Sequence, residues 1–198
     1  MRPQIVLFGD SITEQSFRPG GWGAALADTY SRKADVMVRG YGGYNTRWAL
    51  FLLNHLFPLE CSRTMLVVLI TPPPVDENGR KEYARSLYGE QAAELPERTN
   101  EMAGVYARQC VDVAKELVLP SVDLWSKMQE TVGWQKKFLS DGLHLTEEGN
   151  AVVHREVVRV FNEACLCAPE MPYDFPHHSE IDAENPAKAF QRLLRSEM

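Results

Sequence analysis

Two uninterrupted apolar runs, Ile5-Val6-Leu7-Phe8 and Met65-Leu66-Val67-Val68-Leu69-Ile70, constrain this chain more than any other feature. Neither run alternates polar with apolar residues, and neither is long enough to cross a bilayer. A short run without alternation has to be buried on both faces, which is the situation of a strand inside a parallel sheet. The first run stops at Gly9-Asp10-Ser11 and the second just before Pro72-Pro73-Pro74. Helical patterns stand between such runs. Trp22 to Tyr30 is rich in Ala and Leu, and Asp35 to Val38 gives a second short strand. Asn45 can cap a helix from Thr46 to about Phe57, with Leu52 and Leu56 on one face. Residues 75 to 95 are polar and mixed and read as a loop or lid. Pro96 is expected to open a helix to about Leu117, buried through Met102, Val105, Tyr106, Cys110, Val113 and Leu117. A strand over Val122 to Leu124 follows. Thr146 then caps a helix with Glu147 and Glu148 in its first turn, where carboxylates suit the helix dipole. Val153, Val157, Val160, Phe161 and Ala164 line its inner side.

Strands alternating with helices imply an α/β domain of three layers around a mostly parallel sheet. The length of 198 residues fits one such domain. We place it at residues 1–167. Residues 168–198 form a Pro- and acid-rich C-terminal tail with a short helix from about Ala187. Ligands in such sheets sit at the carboxyl ends of the strands. Gly9-Asp10-Ser11, Gly42-Gly43 and the segment Asp141 to His144 are all expected at that edge.

The net charge of −6 and the lack of a basic stripe argue against a nucleic-acid partner. No stretch is long and apolar enough for a membrane span, and the run after Met1-Arg2-Pro3-Gln4 is too short for a signal-peptide core, so a cytoplasmic location is the expectation. Cys61, Cys110, Cys165 and Cys167 make no CxxC pair and have no histidine at metal-ligand spacing. They read as free thiols, and no metal or cofactor is implied.

Ser11 follows a buried strand and a glycine, with a helix expected to start soon after it. Backbone N–H groups at a helix start can hold an oxyanion. By itself such a serine also fits a turn or a helix cap. Asp141 and His144 lie three residues apart, so one carboxylate can orient the neighbouring imidazole within a turn. By itself that pair also fits a surface Asp beside a capping or core His. Trp22, Trp48, Trp125 and Trp134 read mainly as packing, and Tyr83 and Tyr88 as residues that shape an entrance.

Taken together, these segments resemble the GDSL (SGNH) hydrolases. Phe8-Gly9-Asp10-Ser11-Ile12-Thr13 is similar to the family's first block, and Arg39-Gly40-Tyr41-Gly42-Gly43-Tyr44-Asn45-Thr46 to its second. Asp141-Gly142-Leu143-His144-Leu145-Thr146 is similar to its last. Ile70-Thr71-Pro72-Pro73-Pro74, Leu95-Pro96-Glu97-Arg98-Thr99-Asn100 and Leu124-Trp125 resemble the plant branch related to isoamyl acetate-hydrolysing esterases. The resemblance implies a flavodoxin-like α/β/α fold with sheet order 2-1-3-4-5. It implies a serine hydrolase cleaving small carboxylic esters through an acyl-enzyme. Ser11 would be the nucleophile and Asp141 and His144 its partners. The backbone N–H groups of Ser11 and Gly43 would form the oxyanion hole.

The chain departs from the family in one place. The third block, a strand ending in Gly-x-Asn-Asp whose Asn donates to the oxyanion, has no counterpart. Only Pro58-Leu59-Glu60-Cys61-Ser62-Arg63-Thr64 stands where relatives carry several tens of residues, including that strand and a helix. Loss of one oxyanion donor costs about 10²–10³ in turnover. Asn45 and Asn54 are the nearest asparagines, but neither lies in a matching block. The missing strand is central in the sheet. Its absence exposes backbone and apolar surface unless Met65–Ile70 pairs directly with Ile5–Phe8. The alternative reading is therefore a catalytically impaired isoform or a non-catalytic binding relative. A flavodoxin-like phosphate-binding domain is a weaker third reading, because neither GxxxxGK[ST] nor a post-strand GxGxxG occurs.

Overall fold

The computed structural model describes residues 2–57, 65–90, 98–185 and 187–194, the last four of these as backbone only. In chain order the elements are β1 (Gln4–Gly9), α1 (Ser11–Glu14), α2 (Trp22–Thr29), β2 (Asp35–Gly40), α3 (Thr46–Leu56), β3 (Leu69–Ile70), α4 (Glu77–Tyr88), α5 (Asn100–Glu116), β4 (Ser121–Val122), α6 (Leu124–Gln129), α7 (Trp134–Phe138), α8 (Glu147–Glu163) and α9 (Ala187–Leu194).

Both strand pairings are parallel, as expected of runs buried on both faces. β1 pairs with β2 in the register Ile5 to Val36 and Leu7 to Val38, and β3 pairs with β4 through Leu69 to Ser121 and Ile70 to Val122. Among the described residues the two pairs do not join into one sheet. In the expected order the family's third strand would lie between them, and the chain lacks it. Met65–Ile70 does not close the gap by pairing with β1. Among the described residues only Leu69 and Ile70 of this run form strand, paired with β4, and Met65 remains 59% exposed. The α/β/α architecture therefore stands, with its sheet divided at the missing strand.

One face of the strands carries the main core. Leu7 packs with Trp22, Leu26 and Tyr30 from α2 and its end, with Val122 of β4, and with Val153, Val157 and Val160 of α8. The spacing read from the sequence for α8 is the spacing that is buried, and Thr146 caps it by accepting from the Gly149 N–H. Burial of this shared face stabilises the fold at about 25 cal/mol per Å² of apolar area. The opposite face is thin. The Phe8 and Phe57 rings meet there at 6.0 Å, but α3 buries no residue completely.

Three expectations are corrected. Residues 77–88 of the supposed loop or lid are helix α4, capped by Asp76 through the Asn78 N–H, while 91–97 lie outside the described residues. Helix α5 starts at Asn100 with Thr99 as cap, and Pro96 lies outside the described residues. Its buried stripe is Ala103, Gly104, Ala107 and Ala114, whereas Met102, Tyr106, Val113 and Leu117 face outward. The small residues win because Trp125 fills the space over Gly104, where a Cβ would lie 2.7 Å from its ring. Leu124 opens α6 instead of ending a strand.

The tail returns along the start of β2. Ala168 is buried and Met171 packs on the core, and Asp174 pairs with Arg2 and Arg32. Cys110, Cys165 and Cys167 are free thiols, and Cys61 lies outside the described residues.

Candidate active site

The carboxyl end of β1 delivers Asp10 and Ser11. Asp10 caps α1, its Oδ1 accepting from the Ile12 N–H at 2.9 Å, so Ser11 becomes the first helical residue. The Trp22 indole N–H donates to the Ile12 carbonyl at 3.3 Å and ties that turn to α2.

Asp141 and His144 sit on a closed loop. Leu139 bridges Leu145, and the Ser140 N–H donates to the His144 carbonyl at 2.8 Å. Gly142 turns this loop with φ +79°, in the left-handed region that glycine tolerates. It is also pressed against α4. Its carbonyl accepts from the Asp76 N–H at 2.9 Å, and a Cβ on Gly142 would lie 2.3 Å from the Asp76 oxygen.

This loop brings the three predicted residues into line. His144 Nε2 lies 3.1 Å from Ser11 Oγ, and His144 Nδ1 lies 2.8 Å from Asp141 Oδ2. The other carboxylate oxygen, Oδ1, accepts from the N–H groups of Leu143 at 3.0 Å and His144 at 2.8 Å. Burial pushes the Asp141 carboxyl up. Hydrogen bonds from the His144 ring, the His144 N–H and the Leu143 N–H, together with the histidine charge, outweigh this and hold it well below the usual carboxylate range. Asp141 is thus ionised at neutral pH. Its bond to Nδ1–H leaves Nε2 as the lone-pair nitrogen facing Ser11, which is the tautomer a general base requires.

Arg80 of α4 is a neighbour that the sequence reading did not find. Its Nη1 lies 3.2 Å from Asp141 Oδ2, and its guanidinium stands 5.2 Å from the centre of the Tyr83 ring. No signal pointed to it, because its segment read as a loop.

The second glycine loop follows β2. Gly43 has φ +78° and is exposed. Among the described residues no hydrogen bond takes the Ser11 or Gly43 N–H, whereas the Ile12 and Gly42 N–H groups are both occupied. Two donors are therefore free on adjoining turns. The loop is held by Glu14, whose Oε2 accepts from the Gly42 N–H at 2.6 Å. Removing that carboxylate should loosen the loop without touching Ser11. We expect Glu14→Ala to lower kcat roughly tenfold, in keeping with the sensitivity of turnover to small misplacements. Glu14→Gln, which keeps an accepting oxygen, should retain most activity in the same initial-rate assay.

A pocket of about 180 Å³ adjoins the site, lined in part by Ile12, Gln15, Arg18, Ser140, His144 and Leu145. A larger hollow of about 290 Å³ lies farther along α2 and α8, beside Trp22 and His154, and holds none of the three residues. Of the two, the smaller has one residue of the Ser11–His144–Asp141 line, His144, on its wall.

Apart from Trp22, which holds the Ser11 turn through Ile12, the remaining residues are not in contact with the three. Trp22 is buried, Trp125 and Trp134 are half-buried, and Trp48 is exposed. Asn45 Oδ1 caps α3 by accepting from the Trp48 N–H, and Asn54 is exposed on the same helix. His154 bonds to Thr29 Oγ1, and the rings of His177 and His178 meet at 4.0 Å, inclined by 46°, in the exposed tail. Among the described residues no group of three or more His, Cys, Asp or Glu is placed to hold a metal ion.

Comparison with known proteins shows the family. The family model described as GDSL-like lipase/acylhydrolase matches residues 5–54 and 58–157. A GDSL esterase/lipase of Arabidopsis thaliana is 59% identical over 238 positions, covering 96% of this chain and 98% of its own length. An isoamyl acetate-hydrolyzing esterase 1 homolog of Bos taurus is 33% identical, covering 93% of this chain and 90% of its own. The crystal structure of a lipase/acylhydrolase from Enterococcus faecalis superposes with a TM-score of 0.62 at 22% identity, covering 83% of this chain and 97% of that one. An alignment of 238 positions against a chain of 198 residues leaves at least 40 positions of the Arabidopsis relative without a counterpart here.

Proposed function

Since this chain belongs to the GDSL-like lipase/acylhydrolase family and is an ester-hydrolysing serine hydrolase, we propose that its chemistry runs through an acyl-enzyme on Ser11. The observation that carries this reading is the line from Ser11 Oγ through His144 to the doubly held Asp141, with contacts of 3.1 and 2.8 Å.

Each group has one task. His144 Nε2 takes the Ser11 proton as Oγ attacks the ester carbonyl. Asp141 keeps the imidazole in the required tautomer and stabilises the imidazolium. The free N–H groups of Ser11 and Gly43 receive the oxyanion. His144 then passes the proton to the departing alcohol, and water releases the acid by the same steps in reverse roles. These residues complete the cycle with no metal or organic cofactor among them.

The substrate is a small carboxylic ester. The name of the Bos taurus relative, which refers to isoamyl acetate, points the same way. Catalysis proceeds with one oxyanion donor fewer than the family uses, at a rate reduced about 10²–10³-fold. Residues 1–167 carry every group in this scheme, and the tail 168–198 contributes none.

A fluorophosphonate probe tests the assignment, because only an activated serine reacts with it. Folded protein should be labelled at Ser11, and Ser11→Ala should not be labelled under the same conditions. Labelling at another serine, or none on folded wild-type protein, would overturn the proposal.

A further inference from the structure

Among the described residues four donors reach the Asp141 carboxylate, and three of them belong to its own loop. The Leu143 N–H, the His144 N–H and His144 Nδ1 all travel with Asp141 when residues 141–144 move. The fourth comes from another element. Arg80 Nη1 donates to Asp141 Oδ2 at 3.2 Å and approaches the Asp141 carbonyl at 3.5 Å, across 61 residues of sequence. The two side chains are 15% and 12% exposed, so the contact lies largely out of water. A surface ion pair contributes little, whereas a pair withdrawn from water is screened less and holds its geometry.

Arg80 is itself well anchored. It stands near the start of α4, where Asp76 caps the helix and the Asp76 N–H donates to the Gly142 carbonyl at 2.9 Å. Asn100 ties that start to α5 and α6. Its N–H donates to Glu77 Oε1 at 2.9 Å. Its Oδ1 accepts from the Val75 N–H at 3.1 Å and from the Trp125 indole N–H at 3.0 Å. One turn along α4, the Tyr83 ring lies 5.2 Å from the guanidinium.

We propose that Arg80 is a positioning residue for the hydrolysis: it fixes the Asp141 carboxylate to α4 from outside the loop and keeps Oδ2 aimed at His144 Nδ1. The inference rests on the reading of Ser11, His144 and Asp141 given above. Oδ2 accepts from His144 on one side and from Arg80 on the other. Without the guanidinium, the second side is open to water, and the carboxylate turns more easily away from Nδ1 while the imidazole carries the Ser11 proton. Arg80 takes no proton itself, because a guanidinium stays charged in a protein. Its planar fork offers N–H groups in fixed directions, which an ammonium does not.

The test joins a rate to a resonance. Arg80→Met keeps apolar length and removes the guanidinium. It should slow fluorophosphonate labelling of Ser11 about 10–100-fold, the order expected when a catalytic group is slightly misplaced. Arg80→Lys, which keeps the charge but not the fork, should label at an intermediate rate. In an Asp141→Ala background, Arg80→Met should slow labelling no further, because the group it acts through is gone. Arg85→Met, on the same helix and 51% exposed, should label like the wild type. The proton between His144 Nδ1 and Asp141 Oδ2 gives the second reading, as a low-field signal in proton NMR. In Arg80→Met it should move and exchange faster with water, whether or not Ser11 is present. Losses that multiply in the double variant would overturn the proposal, since a general weakening of the fold acts in both backgrounds alike. Arg80→Lys protein that matches the wild type in rate and signal would also overturn it, even if Arg80→Met failed to fold. Wild-type protein without label at Ser11 would strike the nucleophile assignment instead, and the Nδ1 signal in Ser11→Ala protein would still show whether Arg80 holds the carboxylate.

Discussion

Ser11→Ala should reduce the hydrolysis of p-nitrophenyl acetate by purified, monodisperse protein by about 10³–10⁴-fold. Loss of the nucleophile from a complete serine-hydrolase triad costs about 10⁶ in turnover. The oxyanion donor that this chain lacks accounts for about 10²–10³ of the rate a complete site would show. What remains for Ser11 to contribute is the quotient of these two factors. The position tolerates the change, since Ser11 is the first residue of α1 and Asp10 supplies the cap. Circular dichroism should therefore match the wild type. Equal rates for the two folded proteins would mean that Ser11 does no chemistry, and the alignment of His144 with it at 3.1 Å would then be positional only.

Gly142→Ala should destabilise the protein by about 3 kcal/mol and abolish labelling by the fluorophosphonate probe even at temperatures where the fold persists. Two costs combine. A non-glycine residue in the left-handed region loses about 1–2 kcal/mol, and Gly142 has φ +79°. A Cβ there would also lie 2.3 Å from the Asp76 oxygen and 2.5 Å from the Arg80 nitrogen, so backbone on one side has to move. Displacement of that loop carries Asp141 and His144 with it, because they flank the glycine. For a chain of this length, 3 kcal/mol corresponds to a fall in Tm of roughly 6–12 °C. An unchanged melting temperature would show that the loop yields freely, and that α4 does not brace the site.

The different fates of α4 and α8 show what local sequence can carry. For α8 a capping threonine, first-turn glutamates and a clean apolar spacing all point to one helix, and the helix begins at Glu147 beneath Thr146. α4 has none of that spacing. Its sequence Glu-Asn-Gly-Arg-Lys-Glu-Tyr-Ala-Arg-Ser-Leu-Tyr buries little beyond Gly79, and it is held by the Asp76 cap and by contact with the Gly142 loop. Such a helix exists through its tertiary neighbours, so its residue Arg80 could not be placed beside Asp141 beforehand. The α5 stripe failed for a related reason. Large apolar residues normally face inward, but here the space over the helix is taken by Trp125, and the small residues approach it.

The sequence by itself determined the parallel α/β class and the lack of the family's third block, and it named the residues proposed for the site. Each of these follows from unbroken apolar runs, from motif order, or from residues that are simply not in the chain. Only the tertiary structure decided that Ser11, His144 and Asp141 lie within hydrogen-bonding reach across 133 residues of separation. It also decided that Glu14 holds the second glycine loop, and that the sheet divides instead of closing over its gap. The physical reason is range. Caps, periods and turn glycines act over a few residues, whereas the meeting of two loops and the spacing of two strand pairs depend on how the whole core packs around Leu7, Val122 and α8.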